Sequence, residues 1–302
     1  MKNWFPSLLI LQLLFCISCS QNAEGQKGNT SFNSYWYQGK AEITSYELEQ
    51  ARYGEIHKGT AVLIFVTEPF SKSKQVKLDN APIAGDDAED VLKLNFTKKF
   101  NTGIYPYSIM NSVFTPTNIS GPGQTLKITS SSQEWCGHTF MQLNNQNDEY
   151  QVELKSYFET EGDQTFSTEK VYLEDEIWNM IRINPHSLPV GNVKMIPGMI
   201  HLRLRHEPFK VQRAIISKGN LQDDQYKTYL IKYPEINRTI KIFFSPSFPY
   251  EIAGWEEIHL SGFGSSAKPL TTKATKKKTM LLDYWNKNSV EDTYLKKELE
   301  LE

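Results

Sequence analysis

The sequence predicts a mainly β protein built on one large, curved antiparallel sheet, shaped as an open barrel or a two-layer sandwich. Three observations support this prediction. Short runs alternate between apolar and polar residues, aromatic residues make up 12% of the chain, and clusters of Gly, Pro, Asn and Ser separate the runs. A period of two is typical of strands that bury one face, aromatic residues favour strands, and the separating clusters are turn formers.

The individual strand predictions begin at residue 61. Residues 61–66 form a continuous apolar run between Gly59 and Pro69, as expected for a strand buried on both faces. Alternating runs predict further strands around residues 92–96, 126–128, 150–154, 200–204, 226–233, 239–244, 256–260 and 279–285.

The predicted strand around residues 200–204 bears on two histidines. On a strand, His201 and His206 would point to opposite faces, so they are not expected to form a ligand pair for a metal.

Two segments have the spacing of a helix. Leu173, Ile177 and Ile181 recur every four residues and predict a helix in the middle of the chain that stops before Pro185. Near the C-terminus, Ser289 is placed to cap a second helix. The predicted architecture is therefore a β-sheet with one middle and one C-terminal helix.

The first residues predict an export signal that ends in a lipid anchor. Residues 1–18 combine Lys2 with an apolar run over residues 8–17, which is too short to span roughly 30 Å of hydrocarbon. A small residue precedes Cys19, which resembles the lipobox of bacterial lipoproteins, where the cysteine is diacylated and becomes the mature N-terminus. Cys16 departs from that pattern, because a Leu is usual there. Ordinary cleavage without a lipid is the alternative.

The rest of the chain divides into a polar tether with the lipidated Cys19, residues 19–34, and a single β-rich domain, residues 35–302. Two halves that join near residue 190 are the alternative, because residues 187–197 contain two prolines and a glycine. The 33 basic and 35 acidic residues nearly balance, which gives no field that would attract nucleic acid. Cys136 is the one cysteine of the domain, so no internal disulfide is expected.

The segment from Trp135 to His138 contains the candidate chemistry. It resembles the start of a thioredoxin-type site but lacks the second cysteine. On a strand, Cys136 and His138 share a face and could act as nucleophile and base, with Glu134 as an acid. A metal would need a further ligand that no short spacing supplies, so no metal or cofactor is predicted. A buried structural cysteine is favoured over a catalytic one.

Aromatic residues offer a different kind of site. Tyr107, Trp135, Tyr250 and Trp255 could line an apolar cavity of a curved sheet and bind a ligand there. They could equally form the core, and the core is favoured because buried aromatic residues stabilise a sheet that has no disulfide.

Several stretches of the chain together form a recognisable pattern. They are residues 35–37 (YWY), 39–46 (GKAEITSY), 51–55 (ARYGE), 66–70 (VTEPF), 96–107 (FTKKFNTGIYPY), 133–138 (QEWCGH), 249–255 (PYEIAGW) and 275–288. This pattern resembles a family of uncharacterised lipoproteins from Bacteroidota whose members often carry the label "septum formation inhibitor Maf". True Maf proteins are short α/β nucleotide pyrophosphatases with an amino-terminal Ser/Arg phosphate motif, which this sequence lacks. The resemblance implies a lipoprotein and supplies no catalytic residues.

The sequence thus predicts a lipoprotein of the bacterial cell envelope, anchored to a membrane through Cys19, with the outer membrane favoured. The favoured function is non-enzymatic binding of a lipid, a glycan or a protein partner. A hydrolase or transferase that uses Cys136 and His138 is the second hypothesis, and a purely structural envelope protein is the third.

Overall fold

The computed structural model describes residue 1 and residues 30–221 and 225–302. Cys19 and residues 2–18 of the predicted signal peptide lie outside the described residues. In the described part, one sheet contains fifteen strands, namely β1 (Ala41–Arg52), β2 (Glu55–Ser71), β3 (Ala88–Thr102), β4 (Tyr105–Pro116), β5 (Lys127–Glu134), β6 (Gly137–Gln146), β7 (Glu149–Lys155), β8 (Gln164–Glu169), β9 (Tyr172–Leu173), β10 (Gly191–Ile196), β11 (Gln212–Asn220), β12 (Lys227–Tyr233), β13 (Arg238–Phe244), β14 (Ile252–Ser261) and β15 (Lys268–Leu282).

The helices are few and short. The α-helices are α1 (Thr30–Trp36), α2 (Ala81–Ala84), α3 (Glu174–Ile183), α4 (Met199–Arg205) and α5 (Leu295–Glu298). Short 3-10 helices cover Gly85–Asp87, Pro185–Ser187, Pro234–Ile236, Gly264–Ser266, Tyr284–Asn286 and Val290–Tyr294. Within the described residues, no helix has both the length and the apolar character needed to cross a bilayer.

The sheet is open rather than closed. Its strand order is β8-β7-β6-β5-β4-β3-β2-β1-β15-β14-β13-β12-β11-β10-β9. The first strand of the chain, β1, and the last, β15, are therefore hydrogen-bonded neighbours in the middle of the sheet. Neighbouring strands are antiparallel except for the short parallel pair β9–β10. The predicted mainly β fold with a large curved antiparallel sheet is confirmed, and both halves of the chain contribute to the same sheet.

The sheet curves around α3. Arg182 of this helix binds Glu42 of β1, Asp175 accepts a hydrogen bond from Asn111 of β4, and Glu174 binds Arg238 of β13. Since β4 and β13 are six positions apart in the sheet, these contacts require strong curvature. The helix therefore occupies the centre of the concave face.

The structure confirms the predicted middle helix. The side chains of Ile177 and Ile181 are fully buried, and the chain leaves the helical conformation before Pro185, whose ring disfavours a helical residue in front of it. Glu176 accepts a hydrogen bond from the backbone N–H of Leu173 at 3.0 Å, which satisfies a free donor at the start of the helix.

The prediction of a strand around residues 200–204 is wrong, because these residues form α4. Both apolar and charged positions of α4 are buried, so the alternation that suggested a half-exposed strand does not separate an inner from an outer face. The carboxylate of Asp175 accepts a hydrogen bond from the backbone N–H of Met199 at 2.9 Å and stabilises the first turn. His206 follows in a left-handed conformation with φ 55°, and the helix ends there.

The C-terminal segment covers the convex face of the central strands. The predicted C-terminal helix is present as the 3-10 helix Val290–Tyr294 followed by α5, and Asp292 accepts a hydrogen bond from the backbone N–H of Ser289 at 3.0 Å. Leu299 packs against Ala41 and Ile43 of β1. The strand predicted to reach residue 285 ends at Leu282, where the 3-10 helix Tyr284–Asn286 takes over.

The amino-terminal part of the described domain begins earlier than predicted. Helix α1 starts at Thr30, inside the segment that was predicted as a tether, and it buries Phe32 and Trp36. The hydroxyl of Thr67 donates to the carbonyl of Trp36 at 2.6 Å. The helix lies at the end of the sheet where β1 begins.

Candidate binding site

The opposite end of the sheet forms a continuous row of hairpin turns, which we call the rim. The chain turns here after β1, β3, β5, β7, β12 and β14, because alternate turns of an antiparallel meander lie at the same edge. Helix α4 ends at this edge as well. The turns of the rim comprise residues 53–54, 103–104, 135–136, 156–163, 234–237 and 262–267.

A cleft opens between these turns and the C-terminal end of α4. Its volume is about 390 Å³, which lies in the range of small-molecule binding sites. We call it the rim cleft. Its lining combines guanidinium groups with aromatic rings and consists of Arg52, Tyr53, Glu134, Cys136, Phe158, Leu204, Arg205, His206, Gly262 and Phe263.

Arg52, the last residue of β1, forms one wall of the rim cleft. Its side chain is buried, and it donates hydrogen bonds to the carbonyl of Leu204 and, at 3.2 Å, to the hydroxyl of Tyr53. The guanidinium lies 4.3 Å from the centre of the Tyr53 ring. Its Nε has no hydrogen-bond partner in the described residues. Arg52 is thus a buried cation that neutral groups hold in place.

Arg205, the last residue of α4, lines the rim cleft beside Arg52. It is half-buried, and within the described residues it makes no hydrogen bond or ion pair. Burial lowers the pKa of Arg205, and the positive charge of Arg52 lowers it further. Two like charges in one cleft repel each other, so this arrangement is suited to receive an anion.

Arg203 and His206 add to the positive character of the cleft. Arg203 donates to the hydroxyl of Thr139 at 2.7 Å, and its Nη2 lies 4.0 Å from a carboxylate oxygen of Glu134. His206 Nδ1 lies 2.5 Å from a carboxylate oxygen of Glu161, and burial lowers the pKa of this histidine. The charges of Glu207 and Glu257 raise the pKa of Arg205 and so oppose the effects of burial and of Arg52. Three arginines and the carboxylates of Glu134, Glu161 and Glu207 therefore lie in or beside the cleft.

Cys136 lies at the edge of the cleft, but it is not the buried structural cysteine that the sequence suggested. Trp135 and Cys136 form the two-residue turn between β5 and β6, and the thiol is exposed. The backbone N–H of Cys136 donates to Glu134 at 2.6 Å. A hydrogen bond from the thiol itself to Glu134 and the negative charge of Glu134 raise the pKa of the thiol, which opposes formation of the reactive thiolate.

The other predicted site residues do not form one site. His138 is exposed on β6 and makes no hydrogen bond to Cys136. Trp135 is exposed on the rim, and Tyr107 lies buried beneath it with its hydroxyl 2.8 Å from that of Tyr53. Trp255 is buried in the core, where its ring lies 5.2 Å from Trp178 of α3.

Tyr250 is the last of the predicted binding residues. It lies in the loop between β13 and β14, at the end of the sheet opposite the rim, and packs against Phe248 at 5.7 Å between ring centres. Tyr250 and Trp255 therefore belong to the packing of the domain rather than to the rim cleft.

The concave face contains a second group of charges, which pair with each other. Arg182 binds both carboxylate oxygens of Glu42, at 2.5 and 2.6 Å. Arg238 binds Glu174 at 2.7 Å and Glu257 at 2.6 Å. Burial alone would lower the pKa values of both arginines, but the neighbouring carboxylates raise them. These interior ion pairs hold α3 in the sheet.

Two further carboxyl groups of α3 form no ion pair with any described residue. Burial raises the pKa of Asp175 to about 7 and that of Glu176 to about 7. Glu176 accepts a hydrogen bond from the hydroxyl of Thr125 at 2.6 Å. The adjoining cavity has a volume of about 20 Å³, which is room for a single water.

His201 belongs to this interior group and not to a metal site. Its Nδ1 lies 2.9 Å from Glu257, and burial lowers the pKa of His201 to about 4. Since α4 is a helix, the prediction that His201 and His206 point to opposite faces of a strand does not apply. His201 faces the interior, and His206 faces the rim cleft. Among the described residues, no group of three or more His, Cys, Asp or Glu side chains is placed to hold a metal ion.

Arg52, Arg205 and Phe263 line the cleft but were not among the residues predicted from the sequence. They come from three segments separated by long stretches of chain, and no local motif connects them. One signal was available. Tyr53-Gly54 and Gly262-Phe263-Gly264 place an aromatic residue beside glycine in a turn, where polar residues are usual.

Comparisons with known proteins do not identify a family for this chain. No protein-family model matches the sequence, and no curated protein matches it. Among solved structures, the fold is similar to that described as "Crystal Structure of Beta-barrel-like Protein of Domain of Unknown Function DUF1849 from Brucella abortus". That match has a TM-score of 0.43 and 7% identity and covers 80% of this chain and 97% of the other.

Proposed function

We propose that this protein is a membrane-anchored lipoprotein of the bacterial cell envelope that binds an anionic amphiphile in the rim cleft and performs no catalysis. One observation carries the proposal: Arg52 and Arg205 line the same cleft, and in the part of the chain that the structure describes neither contacts a carboxylate. Arginines that are buried or half-buried are usually paired with an anion. Since neither guanidinium group contacts a carboxylate of the described residues, we expect both to bind an anionic ligand.

The chemistry of the cleft indicates the class of ligand. Guanidinium groups bind phosphate and carboxylate groups through two parallel hydrogen bonds, and Arg205, which lines the cleft, donates no hydrogen bond to any other described residue. The rings of Tyr53, Phe158 and Phe263 provide an apolar wall beside these cations. A ligand with an anionic group and an attached hydrocarbon part satisfies both halves of the cleft.

Calorimetric titration with n-octyl phosphate and n-octanol tests this proposal on the full chain. We expect octyl phosphate to bind and octanol to bind at least about tenfold more weakly, because only the phosphate pairs with the arginines. Arg205→Gln should weaken octyl phosphate binding by about tenfold or more. The control is Arg213→Gln, which removes an exposed arginine that Glu235 pairs at 3.1 Å outside the cleft. Equal binding of both ligands, or equal loss in both variants, would contradict the proposal.

The membrane anchor is tested separately. Cys19 ends the apolar amino-terminal run and is the proposed site of lipidation. We expect Cys19→Ala to move the protein from the membrane fraction to the soluble fraction, because two acyl chains on this residue would supply the attachment. Metabolic labelling with a fatty acid should label the wild type and not the variant. A variant that stays in the membrane, together with an unlabelled wild type, would overturn the lipid anchor.

A further inference from the structure

The rim exposes one large apolar side chain in each of five hairpin turns that follow one another along the sheet. In folded proteins such turns usually carry Gly, Asn, Asp or Ser. The exposed fractions are 37% for Tyr53, 84% for Ile104, 68% for Trp135, 63% for Tyr157 and 71% for Phe263. The rim therefore presents a row of unburied apolar groups at one edge of the molecule.

Some of these side chains contact rings on neighbouring turns or strands. The rings of Tyr53 and Phe263 stack at 5.7 Å between their centres. On the neighbouring hairpins, Trp135 stacks on Tyr105 at 6.3 Å. Contiguous apolar surface of this kind marks a site of interaction with another molecule.

Four neighbouring turns of the rim are free of charge. Residues 53–54, 103–104, 135–136 and 262–267 contain no Asp, Glu, Lys or Arg, whereas the flanking turns over residues 156–163 and 234–237 contain acids. The positive charges of Arg52 and Arg205 lie one layer behind these turns, in the rim cleft. An apolar outer layer with cations behind it matches the layering of a bilayer, in which phosphates lie above the hydrocarbon.

We infer that the rim docks onto the surface of a phospholipid bilayer, with its exposed apolar side chains in the interface and the arginines of the rim cleft at the level of the phosphates. This inference deepens the proposed function, because it makes the bilayer the source from which an anionic amphiphile enters the cleft. Trp and Tyr favour the membrane interface, since their rings are apolar and their N–H and O–H groups remain hydrated.

The exposed thiol of Cys136, which lies in a rim turn, allows a direct test on the full chain. With Cys16→Ala and Cys19→Ala, Cys136 is the single thiol and accepts an environment-sensitive fluorophore. Vesicles of phosphatidylcholine with nitroxide-labelled acyl chains quench a fluorophore that enters the interface. We expect quenching at Cys136 and at least about fivefold less for a fluorophore on Val290→Cys in a Cys136→Ser background, away from the rim.

A matched pair of double variants distinguishes docking through the rim from nonspecific adsorption of exposed apolar residues to the vesicles. Ile104→Ser with Tyr157→Ser removes two rim side chains that do not line the cleft, and quenching at Cys136 should fall at least about twofold. Ile83→Ser with Tyr294→Ser removes the same residue types at exposures of 82% and 58% away from the rim, and quenching should not change. The apolar run over residues 8–17 is the same in all variants, so it cannot cause a difference between them.

The outcomes distinguish docking from ligand binding. If docking is correct and the anion site is wrong, the Ile104/Tyr157 variant loses quenching while Arg205→Gln binds octyl phosphate like the wild type. If the anion site is correct and docking is wrong, Arg205→Gln loses octyl phosphate while Cys136 shows no quenching by the vesicles. Equal quenching at Cys136 and at residue 290, or an equal fall in both double variants, would also overturn the docking of the rim.

Discussion

The arginines of the interior and the arginines of the rim cleft differ in their partners. Arg182 and Arg238 are fully buried, and each binds carboxylates at 2.5 to 2.7 Å. Arg52 and Arg205 line a cleft, and among the described residues neither contacts a carboxylate. A buried ion pair with satisfied hydrogen bonds serves the structure, whereas two cations that lie in one cleft without a carboxylate partner are suited to bind a ligand. We therefore expect Arg182 and Arg238 to stabilise the fold, and Arg52 and Arg205 to bind the ligand.

Removal of an interior arginine should have the largest effect on stability. Arg238→Gln leaves Glu174 and Glu257 buried without their cation, so we expect the free energy of unfolding to fall by about 3–5 kcal/mol. Urea denaturation of the wild type and the variant measures this difference. Arg213→Gln breaks an exposed pair and should cost less than about 1 kcal/mol. A comparable loss in both variants would remove the distinction between interior and surface arginines.

The pH dependence of stability tests the interior carboxyl groups. The folded pKa of Glu176 is raised to about 7 by burial, so its contribution to stability is complete below its ordinary pKa and is lost as the pH rises towards 7. The side chain of the Glu176→Gln variant cannot ionise at this position. Between pH 4.5 and pH 8, the free energy of unfolding of the variant should therefore fall by about 2–3 kcal/mol less than that of the wild type. Urea denaturation at both pH values measures this difference.

The exposed Glu169 provides a control for this experiment. Glu169→Gln removes a carboxylate that pairs with exposed Lys194 at 2.9 Å, so its pH dependence should follow that of the wild type. If Glu176→Gln also follows the wild type over this pH range, then Glu176 is ionised in the folded protein at neutral pH.

The smallest effect is expected at Cys136. Because its thiol is exposed in a two-residue turn, Cys136→Ser should change the free energy of unfolding by less than about 0.5 kcal/mol. Thermal melting of the two proteins is sufficient to measure it. A loss of about 2 kcal/mol or more would mean that the side chain is packed, as the sequence alone suggested.

The sequence predicts those features that depend on neighbouring residues. The period of two along β13, where buried and partly exposed positions alternate from Arg238 to Phe244, and the spacing of Ile177 and Ile181 in α3 are local patterns. Helix α4 escapes prediction because it is surrounded by other elements, so burial is not confined to one face.

The rim cleft escapes prediction for a different reason. Its walls come from the ends of β1, β5 and α4 and from the turns before β2, β6, β8 and β15, and only the curvature of the sheet brings them together. The pattern around Cys136 drew attention to one of these turns, but the cations that define the site lie elsewhere in the chain. The lipid anchor at Cys19 stays a prediction.

The unfolding of Arg205→Gln with and without n-octyl phosphate tests the central distinction most directly. Without the ligand, we expect Arg205→Gln and Arg213→Gln to unfold within about 0.5–1 kcal/mol of the wild type, because neither arginine holds the core together. At about 100 times its dissociation constant for the wild type, octyl phosphate should stabilise the wild type and Arg213→Gln by about 2.7 kcal/mol and Arg205→Gln by less than about 1.5 kcal/mol. An equal gain in all three proteins would contradict a ligand role for Arg205, and a large loss without ligand would make Arg205 a structural arginine like Arg238.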